Sequence, residues 1–219
     1  MKKQLAVGLV ITILVAGIVL AFRWFNQGQL FQVMDVPEFE LTNQHNQTIS
    51  EHEMLGKVYV VEFFFTNCPT ICPVMNQNLK EIEKEINHPD FGVISITIDP
   101  KRDTPEKLKI HAERLGIHNS NWHFLTGDRD YIYELSQKFN IYVGEDETTA
   151  EGLNHSGKFA LVDKNGKIRS RFDAQGMPIL YYSGLNYSDS KGKKESLGGT
   201  FHPQIEWLKE DIKKLLEEK

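Results

Sequence analysis

The stretch KVYVVEFFFTNCPTICP, residues 57–73, decides the fold class. Residues 57–65 are almost continuously apolar and rich in β-branched and aromatic side chains, which predicts a strand buried on both faces. Thr66-Asn67-Cys68-Pro69 breaks this strand, and apolar residues at helical spacing follow Cys72. We therefore expect a buried strand, a cysteine-containing turn and a helix in direct succession.

Strands and helices continue to alternate outward from this stretch. The predicted helices are 74–86, 103 or 104 to 115, 131–139 and 201–216, and the further strands are 92–98, 122–125, 158–162 and 168–172. Asp163-Lys164-Asn165-Gly166 has the turn chemistry of a hairpin between the last two strands. A small edge hairpin is expected over 36–47 and a polar surface loop over 184–199. This pattern predicts an α/β sandwich around a central sheet.

The N-terminus has the pattern of a membrane anchor. Residues 5–22 carry no charge, and 18 such residues would form a helix of about 27 Å, close to a hydrocarbon core of about 30 Å. The preceding Lys2 and Lys3 favour a cytoplasmic N-terminus. We predict a single-pass anchor over 1–23, a juxtamembrane linker over 24–35 and one extracytoplasmic domain, on the periplasmic side of the cell membrane, over 36–219. A signal peptide cleaved near Val19 and Ala21 is the alternative.

Charge argues against one class of partner. The 219-residue chain has a formal net charge of −5 and no basic stripe. Nucleic-acid binding proteins need a basic surface for the phosphate backbone. We therefore exclude nucleic acid as a partner.

The two cysteines, Cys68 and Cys72, point to chemistry. A disulfide between residues four positions apart closes a tiny loop and stabilises the fold little. Helical spacing puts the two thiols on one face, and a helix N-terminus favours the thiolate. Such a pair suits reversible disulfide formation or the binding of a soft cation such as Cu(I) or Zn(II). A structural disulfide and two buried free thiols remain open as well.

A two-thiolate metal site needs a further ligand, and His155 is the candidate. It lies in Gly152-Leu153-Asn154-His155-Ser156-Gly157, just before a predicted core strand. Periodicity alone does not place it near the cysteines. His123, between two aromatic residues, is expected to be a packed or edge histidine. Most others lie in polar surface contexts: His45, His52, His88, His111 and His118.

Four ordered motifs resemble the Sco (SenC) proteins. They are FFFTNCPTICP over 63–73, SITIDPKRDTPE over 95–106, LTG over 125–127 and NHS over 154–156, and the likeness covers roughly residues 36–180. Proteins of that family are membrane-anchored and thioredoxin-like, and they help to assemble the binuclear copper site of cytochrome c oxidase subunit II. The resemblance implies a thioredoxin-like (peroxiredoxin-like) fold with a central mixed sheet flanked by helices.

The resemblance also implies a site and partners. Cys68, Cys72 and His155 would be the ligands of copper, as Cu(I), Cu(II) or both. The acceptor would be oxidase subunit II or a similar copper-accepting protein, with an upstream copper donor or thiol reductant as further partners. Two thiolates and one imidazole suit three-coordinate Cu(I), whereas structural Zn(II) takes four protein ligands.

Two positions depart from the family pattern. The family usually has Asp where this chain has Thr70 and Asn154, so negative charge is missing near the expected site, but no ligand is lost. Asp99, Arg102 and Asp103 are interpreted as a structural ion-pair and capping network.

Three functions follow from these patterns. The first is a copper metallochaperone, which would not be an enzyme. The second is a thiol–disulfide oxidoreductase that acts on the cysteines of an oxidase subunit or another extracytoplasmic protein, with Cys68 and Cys72 as its redox-active pair. The third is a peroxide-reducing or copper-sensing relative in which Cys68 would be the peroxidatic thiol.

Overall fold

A computed structural model of the chain describes residues 11–22, 29–145, 152–173, 175–185 and 203–218. Most of the predicted 184–199 loop lies outside these ranges, as do residues 1–10 and 23 of the predicted anchor.

Eleven strands and five helices make up the described part of the chain. The strands are β1 (Leu30–Asp35), β2 (Glu40–Asn43), β3 (Thr48–Ser50), β4 (Val58–Phe64), β5 (Phe91–Thr97), β6 (Trp122–Thr126), β7 (Val143–Glu145), β8 (Leu153–His155), β9 (Lys158–Val162), β10 (Lys167–Arg171) and β11 (Tyr182–Ser183). The helices are α1 (residues 11–22), α2 (Ile71–Ile86), α3 (Pro105–Leu115), α4 (Arg129–Lys138) and α5 (Gln204–Glu217), with a short 3-10 turn at Glu51–Met54.

The main sheet is mixed, as predicted. Its strand order is β1-β10-β9-β4-β5-β6-β2-β3, and β11 pairs with β9. Strands β4, β5 and β6 are parallel to one another, whereas the remaining pairings are antiparallel. The predicted hairpins β2–β3 and β9–β10 are both confirmed. Strands β7 and β8 form a separate two-stranded sheet.

Strand β4 is covered on both faces. All seven of its residues are buried. Phe64 packs against His111 of α3, with ring centroids 5.6 Å apart, and Phe63 packs against Phe139, which follows α4, at 5.9 Å. Successive side chains of a strand point to opposite faces, so helices cover the sheet from both sides. This explains the uninterrupted apolar run and confirms helices flanking a central sheet.

Local side-chain chemistry explains where α3 and α4 begin and end, and α4 starts two residues before its predicted bound. Thr104 caps α3 through its side chain, which accepts from the backbone N–H of Lys107, and a proline occupies the first turn. Gly116 ends α3 in the left-handed region, at φ 69°. Asp128 caps α4 in the same way as Thr104 caps α3.

The predicted linker over 24–35 is wrong for its second half. Residues Leu30–Asp35 form β1, which pairs with β10 along the edge of the sheet. Leu30, Val33 and Met34 pack partly buried against the core. An edge strand needs only one half-buried face, so its interspersed polar residues gave no clear strand pattern.

The N-terminal prediction is tested only in part. Residues 11–22 are helical and exposed in this chain. Within the ranges that the structure describes, no helix combines the length and the apolar character needed to cross a membrane.

Glu62 is a fully buried acid in the middle of β4. Its carboxyl group accepts a hydrogen bond of 2.7 Å from the Ser95 hydroxyl, which in turn accepts one of 3.1 Å from the Trp122 indole N–H. The other carboxyl oxygen has no hydrogen-bond partner among the described residues. Burial raises the pKa of Glu62 to about 8, so the acid is neutral in the fold over most of the physiological range.

We predict that Glu62 makes the stability of the fold depend on pH. The folded protein holds a proton on Glu62 that the unfolded chain releases near pH 4.5, so the contribution of Glu62 to the free energy of unfolding falls as pH rises from 4.5 to about 8, by roughly 1 kcal/mol per pH unit. The Cys68 thiolate contributes a slope of opposite sign in this window, so the Glu62 contribution is the difference between wild type and a variant that lacks the acid. Denaturant unfolding of the full chain across this window measures the slope. Glu62→Gln keeps an acceptor for Ser95 and should make the slope more positive than that of wild type by roughly 1 kcal/mol per pH unit; equal slopes in the two proteins would contradict the prediction.

Candidate metal centre

Cys68 and Cys72 lie on the turn that joins β4 to α2. The backbone N–H of Cys68 donates to the carbonyl of Phe65 at 3.2 Å, which closes a tight turn after the strand. Cys72 sits in the first turn of α2, because the helix begins at Ile71 and not at the predicted residue 74. Pro73 is compatible with this early start, since proline is tolerated in the first turn of a helix.

His155 ends strand β8 and is held there by the small second sheet. It pairs with Val143 of β7, and the next residue, Ser156, donates its N–H to the carbonyl of Tyr142 at 2.9 Å. Its ring meets Phe65 edge-on, with centroids 5.9 Å apart. This short strand before β9 was not among the strands predicted from the sequence.

The structure brings the three predicted site residues together. The Sγ atoms of Cys68 and Cys72 and a ring nitrogen of His155 all lie within 4.8 Å of one another. His155 Nε2 is 3.1 Å from Cys72 Sγ. In the ranges covered by the structure, no other group of three or more His, Cys, Asp or Glu side chains could hold a metal ion. Both cysteines are free thiols.

The two thiols are electrostatically unequal. A hydrogen bond from Cys72 holds the pKa of Cys68 well below its usual value of 9, and His155 and the backbone N–H groups of Cys72 and Thr70 act in the same direction. The hydrogen bond to Cys68 and burial raise the pKa of Cys72. The reduced pair is therefore a thiolate at Cys68 beside a thiol at Cys72.

The donor set fits a soft, low-coordinate metal ion. It consists of two sulfur atoms and one imidazole nitrogen, with no carboxylate, and its three residues are at most 8% exposed. Thiolate and imidazole together suit Cu(I) and Zn(II), and a three-donor site suits Cu(I) better. The second ring nitrogen of His155, Nδ1, is buried without a hydrogen-bond partner among the described residues. Nε2 is therefore the atom that faces the thiols.

The other histidines in the part of the chain that the structure describes take no part in this cluster. His123 Nδ1 lies 3.4 Å from the Asn43 amide, which agrees with the predicted packed or edge role. His111 is not a surface residue as predicted, but is half-buried against Phe64 and Phe124.

The Asp99, Arg102 and Asp103 network is present, and it reaches further than predicted. Arg102 pairs with Asp99 at 3.0 Å, as expected. Asp103 in addition accepts hydrogen bonds from Thr66, two residues before Cys68. Sequence reasoning missed the role of Thr66, although its place between the buried strand and the cysteine was a usable signal.

Comparison with known proteins points to one family. The sequence model of the SCO1/SenC family matches residues 29–186. The SCO1 protein homolog of Bacillus subtilis (strain 168) is 33% identical over 164 residues, which cover 71% of this chain and 83% of that protein. A putative copper-binding protein of Stutzerimonas stutzeri is 30% identical over 144 residues, 64% of this chain and 69% of that protein.

Solved structures agree with the sequence comparison. A SCO1/SenC family lipoprotein of Bacillus anthracis str. Ames superposes with a TM-score of 0.66 at 30% identity, over 84% of this chain and 96% of that chain. BsSco, described as a member of the Sco family of cytochrome c oxidase assembly proteins with a disulfide switch, has a TM-score of 0.65 at 26% identity, over 86% and 97%. The predicted resemblance is confirmed.

We predict that one thiolate persists in the reduced, metal-free protein at mildly acidic pH. The hydrogen bond from Cys72 stabilises the Cys68 thiolate, so Cys72→Ala should move the titration of Cys68 up towards the usual thiol pKa of 9. Ultraviolet thiolate absorbance followed against pH measures this shift. Cys68→Ala is the control and should lack the low-pH thiolate; a wild-type titration near 9 would contradict the prediction.

Proposed function

The chain belongs to the SCO1/SenC family, and we propose that it binds copper through Cys68, Cys72 and His155 and delivers it to the binuclear copper site of cytochrome c oxidase subunit II. The observation that carries this proposal is the approach of two sulfur atoms and one imidazole nitrogen to within 4.8 Å of one another. Copper is the cargo of this protein, and its acceptor is oxidase subunit II or a similar copper-accepting protein.

The chemistry of the donors supports copper as the cargo. Soft sulfur ligands select Cu(I) over harder cations, and three donors form a complete Cu(I) site but an incomplete Zn(II) site. The relative from Stutzerimonas stutzeri carries the description copper-binding. BsSco, which shares the fold at 26% identity, is described as belonging to a family of oxidase assembly proteins.

The surroundings of Cys68 support transfer to a partner. Asn67, Pro69 and Thr70 are exposed, whereas Cys72 and His155 are deeply buried. An incoming ligand can therefore approach from the Cys68 side while the other two donors still hold the ion. Ligand exchange of this kind moves an ion between two proteins without releasing it to water.

We further propose that residues 1–23 anchor the domain to the outer face of the cell membrane. The uncharged run over 5–22, flanked by Lys2 and Lys3, supports this orientation. An extracytoplasmic domain needs a thiol reductant to keep its cysteines competent for metal binding, and a copper donor to load them. These two functions define the upstream partners.

Thiol–disulfide exchange is the second candidate function. A low-pKa thiolate beside a thiol is the arrangement that disulfide exchange requires, and Cys68 and Cys72 have it. A disulfide switch has been identified in BsSco. In this role Cys68 and Cys72 would reduce the cysteines of an oxidase subunit or another extracytoplasmic protein, and His155 would be dispensable.

We predict that the reduced full chain in detergent binds one Cu(I) and that His155→Ala weakens the affinity by at least 10- to 100-fold, because one of three donors is lost. Titration in competition with a chromophoric Cu(I) chelator gives the affinity. Incubation of the loaded protein with metal-free subunit II then tests delivery.

His123→Ala is the matched control, since His123 is a partly buried histidine that lies outside the cluster. It should bind Cu(I) like wild type. Equal Cu(I) affinity in wild type and His155→Ala would contradict the proposal that His155 is the third ligand. If facile disulfide exchange accompanied that result, the oxidoreductase function would replace metal delivery.

A further inference from the structure

Asp103 is a buried carboxylate whose oxygen atoms are all used. It is 1% exposed, at the start of α3. Oδ1 accepts from the Thr66 hydroxyl at 2.5 Å and lies 3.2 Å from Lys107 Nζ. Oδ2 accepts from the Thr66 backbone N–H at 3.0 Å and from the Thr97 hydroxyl at 2.6 Å. A carboxylate has about four acceptor positions, so this side chain has no remaining freedom.

These contacts converge on the segment that carries Cys68. Thr66 is held through both its backbone and its side chain. The next residue, Asn67, accepts from Lys107 Nζ at 3.3 Å, so the same lysine holds Asp103 and Asn67. Cys68 follows immediately. We call Thr66, Thr97, Asp103 and Lys107 the clamp.

The clamp is itself fixed to the frame of the sheet. Thr97 ends β5, which pairs with β4 up to Phe64. The backbone N–H of Asp103 donates to the carbonyl of Asp99 at 2.9 Å, and the N–H of Asp99 donates to the Thr97 hydroxyl at 3.1 Å. The position of Asp103 is therefore set by β5 and the turn that follows it, independently of α2 and β8.

We propose that the clamp is a positioning device for Cys68 alone, which sets the distance of its sulfur from Cys72 and His155 and so the affinity of the site for copper. Cys72 is placed by α2 and His155 by the β7–β8 sheet. Of the three donors, Cys68 is the one whose backbone lies in neither a helix nor a strand. Without the clamp, that backbone would keep its hydrogen bond to the Phe65 carbonyl, and the sulfur would keep its contacts with Thr70 and the other two donors. This inference rests on the proposed copper binding.

The geometry predicts which substitutions matter. Thr66→Val removes the hydroxyl and keeps the branched shape and backbone N–H, and Asp103→Asn removes the charge. Each should lower the Cu(I) affinity of the full chain by roughly 10- to 100-fold, the usual effect of losing the partner that orients a ligand. Thr66→Ser keeps the hydroxyl and should bind Cu(I) with the affinity of wild type.

Asp163→Asn is the matched control. Asp163 is also a buried aspartate that holds a turn, since it bonds the N–H groups of Asn165 and Lys167 and pairs with Arg169, but it lies in the β9–β10 turn. Its substitution should leave Cu(I) affinity unchanged. X-ray absorption supplies a readout that mere destabilisation would not move: the number of sulfur atoms bound to Cu(I) should fall from two towards one in Thr66→Val.

The outcomes separate the clamp from the proposed function. Folded Thr66→Val with wild-type affinity and two bound sulfur atoms would overturn the clamp, and so would an equal loss of affinity in Asp163→Asn. If Asp103→Asn does not fold, Thr66→Val decides. If wild type binds no Cu(I), copper delivery fails.

The clamp is then tested without metal, through the equilibrium of Cys68 and Cys72 with oxidised and reduced glutathione. Two thiols are oxidised to one disulfide while one oxidised glutathione becomes two reduced molecules, so the equilibrium reports how well the two sulfur atoms are held together. A fall of about tenfold in this equilibrium constant in Thr66→Val would support the clamp. An unchanged constant would overturn it.

Discussion

Strand β4 lies between β9 and β5, with every side chain buried, and the rest of the structure is arranged around it. Because β5 pairs with it along its whole length, the chain leaves the sheet beyond Phe64. Burial of Phe65 against the His155 ring then fixes where the turn begins. The placement of Cys68 and Cys72 is thus a consequence of how a doubly covered strand ends. Glu62 shows the force of this constraint, since the strand keeps an acid in its neutral form and does not expose it.

Local chemistry made much of the fold predictable. The apolar run of β4, the start of α3 after Thr104 and the turn at Asp163–Gly166 each depend on a few adjacent residues, and these features are present as expected. Strand β1 was missed because its face is only half-buried. His155 lies 83 positions after Cys72 in the sequence, and the pairing of β7 with β8 brings it to the cysteines. No sequence periodicity reports a contact over such a distance.

The family resemblance supplied what periodicity could not, and the structure gives a physical meaning to one departure from it. Thr70 Oγ1 lies 3.6 Å from Cys68 Sγ. A hydroxyl at this place can donate to a thiolate, whereas the carboxylate usual in the family would repel one. The substitution therefore favours the charged form of Cys68. The site keeps its three donors and loses a negative neighbour.

Strand β1 also determines from which side the chain enters the domain. Three successive antiparallel pairings separate β1 from β4, so the two strands run in opposite directions. Leu30 consequently lies at the end of the sheet from which the chain passes to Cys68. With the proposed anchor, residues 24–29 would form a connection that can extend to at most about 20 Å. This connection would join the domain at the end of the sheet that leads to Cys68. The domain would search a thin layer above the bilayer, where the local concentration of a membrane-bound acceptor far exceeds its average in the compartment.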